Sequence, residues 1–375
     1  DSAYGKCAHC NEDNTNEAWC QSCDPDITTR WTSRNKDIDV CMKTFQLRAA
    51  KYEDVIEWIP FDRLSEIIKI GEGGFGSVYS ATWLDGIRKV ETIKDGKNDI
   101  YKRVREQSST IALKTLASSM ENNNDFLKEF KSLMTCKLNY SKLAIYGITQ
   151  NTETKEYLMA FQYANNGSLY KFLKNNFCSL TWQTKLEMLK NISNELDNIH
   201  RYAKYIHADF HSGNILQDQQ SYIADLGLSR KTNEKVLDGD IYGVMPYVAP
   251  EVLSGEQQFT QAADIYGFGL AAKICKGLRP EFAPGTPKCY IELAQKCMNS
   301  DPQKRPEALD VYSIIDGWLE EIVNLDDNNE IKKQFSEADK VFKALPISRH
   351  PDEIYTSKII STKLISKAIK GNYLF

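Results

Sequence analysis

Hydrophobic residues recur along this 375-residue chain in two rhythms, and their order outlines a fold. Ile38, Cys41, Met42, Phe45 and Ala49 fall at helical spacing, which predicts one amphipathic helix in the stretch 24–60. Its polar face is mixed in charge, so it is expected to pack on the domain that follows rather than on a membrane. Residues 77–82 are β-prone and lead to a turn at Asp85-Gly86, residues 111–115 predict a further strand, and residues 125–133 predict a helix. Residues 144–149 and 157–163 read as the strands of a hairpin. Leu186, Leu189, Ile192, Leu196 and Ile199 then mark a long helix with one apolar face. Two short apolar runs follow, Ile215-Leu216 and Tyr222-Ile223-Ala224, and they hold polar residues at their ends. Residues 85–110 are charged and without apolar rhythm, which predicts a solvated insertion between two sheet strands. Beyond about residue 320 the chain turns polar, with one helical stretch and a lysine-rich end, and a weakly packed tail is expected.

Composition narrows the partners. A hydrophobic fraction of 42% is ordinary for a globular protein, and this length holds two or three folded units. A net charge of −4 gives no reason to expect nucleic acid or an anionic membrane surface, since those select basic patches. No apolar run approaches the roughly 18 residues of a membrane helix, so a soluble chain in the cytoplasm is the expectation. Of the ten cysteines, Cys41, Cys136, Cys178, Cys275, Cys289 and Cys297 lie singly in ordinary segments and read as small buried hydrophobes.

The other four are clustered. Cys7-Ala-His-Cys10 and Cys20-Gln-Ser-Cys23 are two pairs separated by nine residues, each able to present both sulfurs to one tetrahedral ion, zinc above all. A segment of this size buries no core of its own, so metal would supply its folding energy. Two disulfides are the alternative reading, which an intracellular compartment disfavours. His9 reads as a bystander. Protein, RNA or ubiquitin are the candidate partners of such a knuckle, and the acidic balance weighs against RNA.

The chemistry concentrates in residues 205–227. Asp209 is followed by Asn214 and then by Asp225, two carboxylates and an amide at the ends of short strands. Upstream, Gly71-x-Gly73-Gly74-x-Gly76 also fits a dinucleotide fingerprint, but that fold needs a helix directly after the glycines, and the sequence here is β-prone. A hairpin whose glycines let the backbone lie close over phosphates fits better.

With these residues in view the chain resembles the protein kinases, closest to the tyrosine-kinase-like group. His207-x-Asp209-x-x-x-x-Asn214 is similar to the catalytic loop, Asp225-Leu226-Gly227 to the metal-binding element, and Ala249-Pro250-Glu251 to the end of the activation segment. The resemblance covers residues 61–320. It implies an α+β, bilobal kinase fold: an N-lobe (61–164) of antiparallel sheet plus one helix, and a mainly helical C-lobe (165–320). A zinc knuckle (1–24) and a linker (25–60) would precede it, and a polar tail (321–375) would follow. It also implies ATP, Mg2+ and a protein substrate. Asp209 would orient a substrate hydroxyl, Asn214 and Asp225 would hold magnesium, and Lys114, paired with Glu129, would meet the α and β phosphates. Gly71, Gly73, Gly74, Gly76, Val78, Ala112, Phe161 as gatekeeper, Gln162, Ala164 and Leu216 would line the nucleotide site. Asp264 would brace the catalytic loop and Arg305 would pair with Glu251.

Three departures qualify the resemblance. Ala208 stands where many kinases place an arginine that binds activation-loop phosphate, so phosphorylation of Ser229, Thr232 or Tyr242 lacks its usual anchor. His211 and Val244 stand where serine/threonine kinases usually carry lysine and threonine, which leaves serine or threonine as a lean. Leu226 replaces phenylalanine conservatively. The rival reading is a pseudokinase scaffold, an ATP-binding adaptor with a zinc-knuckle interaction module.

Overall fold

Strand pairing decides which side chains of the sheet are sealed and which stay open to a ligand. The computed structural model describes residues 3–73, 76–95, 98–115, 123–139, 141–177, 179–232, 234, 241–274, 282, 284–324, 328–342 and 358–362. The chain divides into two units, residues 1–134 with 143–163, and residues 135–142 with 164–375.

The first unit contains, in chain order, α1 (Asp24–Thr28), α2 (Lys36–Gln46), β1 (Glu57–Trp58), β2 (Leu64–Gly73), β3 (Gly76–Trp83), β4 (Arg88–Asp95), β5 (Asn98–Arg105), β6 (Ser109–Thr115), α3 (Asn123–Leu138), β7 (Ile145–Gln150) and β8 (Tyr157–Gln162). Its sheet has the order β1-β7-β8-β6-β3-β2, antiparallel except for β1 beside β7. Along β6 the odd positions are buried and the even ones are not, the alternation expected of a strand with one face on the core. Ile111 and Leu113 join Ile59, Leu64, Ala81, Trp83, Leu158 and Ala160 in that core. β1 comes so close that a Cβ on Gly147, whose φ is +151°, would stand 1.8 Å from the Glu57 carbonyl oxygen, so only glycine fits there.

The structure gives two expected segments of this unit a definite form. The solvated insertion at residues 85–110 is itself ordered: β4 and β5 form a continuous antiparallel hairpin from Arg88↔Arg105 to Asp95↔Asn98. Its ribbon is exposed on both faces, so it shows none of the hydrophobic alternation that marks a half-buried strand. Arginine guanidinium groups lie over aromatic rings instead, Arg105 over Trp83 and Arg88 over Tyr52, while Glu57 binds both of them. The amphipathic helix expected in residues 24–60 is α2, and it packs on the following domain. Asn35 caps α2 by accepting from the Asp37 and Ile38 N–H groups, and Ile38, Cys41, Met42 and Phe45 are buried. Phe45 meets Phe130 of α3 edge to face at 6.3 Å.

The second unit holds α4 (Leu169–Asn176), α5 (Trp182–Asp197), β9 (Tyr205–Ile206), β10 (Ile215–Gln217), β11 (Ser221–Ile223), β12 (Arg230–Lys231), β13 (Ile241–Gly243), α6 (Pro250–Leu253), α7 (Gln261–Ile274), α8 (Lys288–Cys297), α9 (Ala308–Val323), α10 (Glu330–Phe342) and β14 (Lys358–Ile360). Thr181 caps α5, and Leu186, Leu189, Ile192 and Leu196 are buried along it, the stripe that its spacing predicts. The tail is not weakly packed where it is described. Phe335 of α10 is 2% exposed and lies 5.5 Å from Trp182 and 5.8 Å from Trp318, ring to ring. Asp339 accepts from the Trp182 N–H at 2.8 Å. Phe335 and Ala338 are three residues apart, so one narrow stripe docks a helix whose composition is otherwise polar.

Arg305 and Glu251 form a buried, bidentate ion pair, two parallel bonds of 2.6 and 2.8 Å between side chains that are 0% and 5% exposed. Arg305→Ala would leave the Glu251 carboxylate buried without its cation. Urea unfolding is expected to show a loss of about 3–5 kcal/mol. A loss below about 1 kcal/mol would mean that water takes over the role of the guanidinium.

Candidate active site

In the first unit the open face of the sheet collects the expected nucleotide-binding residues. Paired residues of antiparallel strands share a face, and the register sets Val78 opposite Lys114, Ala112 opposite Ser80 and Phe161 opposite Ala112. Val78, Ala112 and Lys114 are half-buried on this face, and Phe161 is buried. The Lys114 ammonium lies 2.8 Å from Glu129 Oε1 of α3, and the two side chains are 12% and 2% exposed. Gly71, Gly73 and Gly76 stand at the tip of the β2–β3 hairpin, with Gly73 paired to Gly76. Gly74 lies outside the described residues. Gln162 ends β8 and donates its N–H to the Ala144 carbonyl at 3.0 Å.

In the second unit one buried carboxylate fixes the loop that carries Asp209. Asp264, at the start of α7 and 2% exposed, accepts from the His207 N–H at 2.8 Å and the Ala208 N–H at 3.0 Å, and contacts His200 Nε2 at 2.8 Å. Ala208 adopts φ +65°, a left-handed conformation that a non-glycine residue keeps only where its surroundings hold it. Asp209 follows directly. The Asn214 amide nitrogen donates to the Asp209 carbonyl at 3.0 Å and to its Oδ2 at 3.2 Å, which directs Asn214 Oδ1 away from that carboxylate.

The β10–β11 hairpin brings the remaining acid to the same end. Ile215 pairs with Ile223, and the Ala224 N–H donates to the Asn214 carbonyl at 2.8 Å, so Asn214 and Asp225 leave the hairpin side by side. Asp225 also has a left-handed φ, +62°. Leu216 is half-buried on β10 and bridges to Ser168, while the Ala164 carbonyl accepts from the Gly167 N–H at 3.0 Å. Hard oxygen donors from one amide and one carboxylate suit a magnesium ion that keeps several waters.

Two histidines stand out beyond the expected set. His211 Nε2 lies 3.6 Å from Asp209 Oδ2, and its Nδ1 accepts from the Gly213 N–H at 3.0 Å, which places the ring proton on the nitrogen that faces the acid. His200 completes the Asp264 brace, and its position in the turn between α5 and β9 is the sequence signal that could have flagged it.

The four clustered cysteines converge. Their sulfurs all lie within 4.8 Å of one another, and Cys10 and Cys20 Sγ are 3.7 Å apart. Tetrahedral zinc with Zn–S bonds near 2.3 Å sets its sulfurs about 3.8 Å apart, so the spacing fits an ion and is far too long for a disulfide. The N–H groups of Cys10 and His9 pull the Cys7 thiol down to about 7, and Cys23 is pushed up to about 12 by its hydrogen bond with Cys10. Four such sulfurs ionise together only around a cation. His9 contributes its backbone N–H to Cys7 Sγ.

The knuckle is also fastened to the rest of its unit. Asp24 takes the Cys20 N–H at 2.7 Å and the Arg103 guanidinium of β5. Arg103 additionally bonds the Ala18 carbonyl at 2.6 Å, and Trp19, fully buried, packs with Ala49 and Val55.

Comparison with known proteins agrees with this layout. The family model described as protein tyrosine and serine/threonine kinase matches residues 64–273. The chain is similar to the probable serine/threonine-protein kinase roco5 of Dictyostelium discoideum, 26% identical over 302 residues that cover 68% of this chain and 10% of the relative. It is similar to the probable LRR receptor-like serine/threonine-protein kinase RFK1 of Arabidopsis thaliana, 28% identical over 285 residues, 70% of this chain and 25% of the relative. To the probable serine/threonine-protein kinase drkD of Dictyostelium discoideum it is 24% identical over 315 residues, 77% of this chain and 22% of that protein. The chain thus spans a quarter or less of the length of these relatives. Because the matched stretch takes in more than half of the sequence, from the glycine hairpin through Lys114, Asp209 and Asp225 to α7, the chain belongs to the protein tyrosine and serine/threonine kinase family.

Proposed function

We propose that this chain is an ATP-dependent protein kinase that transfers the γ-phosphoryl group to serine or threonine hydroxyls of a protein substrate in the cytoplasm. The observation that carries the reading is the Asp209 carboxylate, held by the Asn214 amide at 3.2 Å on a loop whose backbone is pinned by Asp264. Phosphoryl transfer asks the protein mainly for positioning and charge, and this loop supplies a fixed base.

In this reading Asp209 accepts the proton of the attacking hydroxyl. Lys114, kept in place by Glu129, takes the α and β phosphates, and the glycine hairpin of β2 and β3 covers them with backbone. Val78, Ala112 and Phe161 of the first unit would contact the adenine and Gln162 would offer it main-chain groups, while Leu216 and Ala164 are assigned to the nucleotide by the resemblance alone. Asn214 Oδ1 and the Asp225 carboxylate would hold magnesium, which when bound neutralises charge on the phosphates. His211, with Nε2 facing Asp209 at 3.6 Å, occupies the position where serine/threonine kinases usually carry lysine, and this departure keeps serine or threonine a lean.

The cysteine cluster is read as a structural zinc site. Its aromatic and acidic neighbours are engaged within the chain, Trp19 by burial and Asp24 by Arg103, which favours a brace for the first unit over a module for ubiquitin or another protein partner.

Among the described residues, candidate phosphosites and nearby arginines of the activation segment are already engaged. Ser229 is buried and donates to the Leu226 carbonyl at 2.7 Å, and Thr232 donates to the Lys204 carbonyl at 3.0 Å. Arg230 is spent on the Phe259 carbonyl at 2.7 Å and Arg201 on Asp197 at 2.6 Å.

Three outcomes test these assignments. Asp209→Asn should lower kcat about 10²–10⁴-fold in a peptide phosphorylation assay while calorimetry shows nucleotide affinity little changed. Equal transfer by both proteins would remove Asp209 from its role, and ATP binding without transfer by either would favour the adaptor reading. Phosphatase-treated enzyme should keep its rate within about twofold, since no arginine precedes Asp209; a dead sample would show that loop phosphate has another anchor. Elemental analysis of the purified chain should find one zinc, and a chelator or Cys10→Ser should remove it and lower the melting temperature. Metal-free protein with an unchanged transition would refute the brace.

A further inference from the structure

Strand β13 is paired with a strand from the tail. β14, from the tail, pairs with it antiparallel, setting Ile241 opposite Ile360, Tyr242 opposite Ile359 and Gly243 opposite Lys358. β13 lies at the active site itself: a Cβ built on Gly243 would stand 3.6 Å from Asp209 Oδ1 and 3.0 Å from a Val248 methyl. Directly paired residues share a face, so Lys358 stands on the side of the ribbon that looks onto Asp209.

Among the described residues of the tail strand, Ile360 is the buried one. Ile360 is 4% exposed and sits with Val248, Ala249, Val252 and Ala263 of the segment after β13, with Ile241 and Phe259 packed beside them. Ile359 is 59% exposed and anchors nothing. Thr362 follows close to Gly255, whose added Cβ would meet it at 3.5 Å. Main-chain bonds to a strand edge plus one apolar pocket is how extended peptides are bound by strand addition: the backbone supplies affinity and the pocket supplies selectivity.

We propose that the β13 edge and the pocket of Val248, Ala249, Val252 and Ala263 form the track on which an extended peptide substrate lies, and that residues Lys358–Ile360 hold this track in cis as an inhibitory strand. The inference rests on the kinase reading. It assigns the substrate class as an extended segment bearing a bulky aliphatic residue two positions C-terminal to the residue opposite Gly243. The chain's own segment presents Lys358 at that position, which has no hydroxyl to phosphorylate, so it blocks without being consumed. Any peptide must displace it, and the apparent affinity falls by the fraction of time the track is free.

The test compares full-length Ile360→Asp with Ile359→Asp. On a degenerate serine/threonine peptide library, Ile360→Asp should lower KM about tenfold, as removal of an occupant present about nine-tenths of the time requires, with kcat within about twofold. Ile359→Asp should match the parent. Hydrogen exchange should show the Tyr242 and Gly243 amides less protected in Ile360→Asp alone. A labelled peptide YTSKIISTKL should bind Ile360→Asp more tightly than the parent by fluorescence anisotropy, a readout that needs no turnover. If that binding difference appears but no protein transfers phosphate, the kinase reading falls and the track stands. If β13 is released and neither KM nor peptide binding moves, the proposal is overturned. It is equally overturned if Ile360→Asp loses kcat at constant KM, the signature of a purely structural strand.

Discussion

The carboxylate of Asp264 is the constraint on which the second unit depends. A buried carboxylate left without donors is costly, and this one is satisfied by two consecutive backbone N–H groups and a histidine. That arrangement is possible only if the chain turns sharply at Ala208, and the left-handed φ there is what points Asp209 out of the loop. Helix α7 must also come within contact of the same loop. A Cβ at Gly267 would stand 2.5 Å from the Phe210 carbonyl, so the glycine three residues after Asp264 completes the approach.

The same device recurs elsewhere. Glu195 of α5 is fully buried and accepts from the Ile223 N–H at 2.9 Å, the Lys142 N–H at 3.0 Å and the Ser141 hydroxyl at 2.9 Å. Burial pushes its carboxyl upward while those donors oppose the shift. Through Ile223 it fixes the hairpin that sets Asn214 beside Asp225. Asp24 does the equivalent for the knuckle, joining the Cys20 backbone to Arg103. Each acid converts loop backbone, which has no ladder of its own, into a rigid mount.

Much of this was legible in the sequence, for identifiable reasons. The Lys114–Glu129 pair, the end-of-hairpin placement of Asn214 and Asp225, and the Arg305–Glu251 bridge all follow from motifs whose spacing is tied to one backbone geometry. The α5 stripe followed from a helical period. What escaped was structure made by contacts without local periodicity. β4 and β5 are exposed on both faces, so no alternation betrayed them. α10 docks through Phe335 and Ala338, too narrow a signal against its charged background. β14 is three residues long, and its meaning lies in the strand it pairs with, more than a hundred residues earlier.

These less legible parts share a mode of attachment. The knuckle joins its unit through Trp19 and the cation of Arg103, α10 joins the other through Phe335 between two tryptophans, and β14 joins through a strand edge and one isoleucine. The reacting groups hold one another instead: the Lys114 ammonium meets Glu129, and the Asn214 amide meets Asp209. The chemistry is therefore mounted on buried carboxylates that are expensive to alter, whereas the additions hold by apolar and backbone contacts that one substitution can release. Such a division lets peripheral segments be gained, lost or moved while the reacting groups keep their geometry. It also explains why a tail strand can cover the ground next to Asp209 without disturbing the hydrogen bonds that aim it.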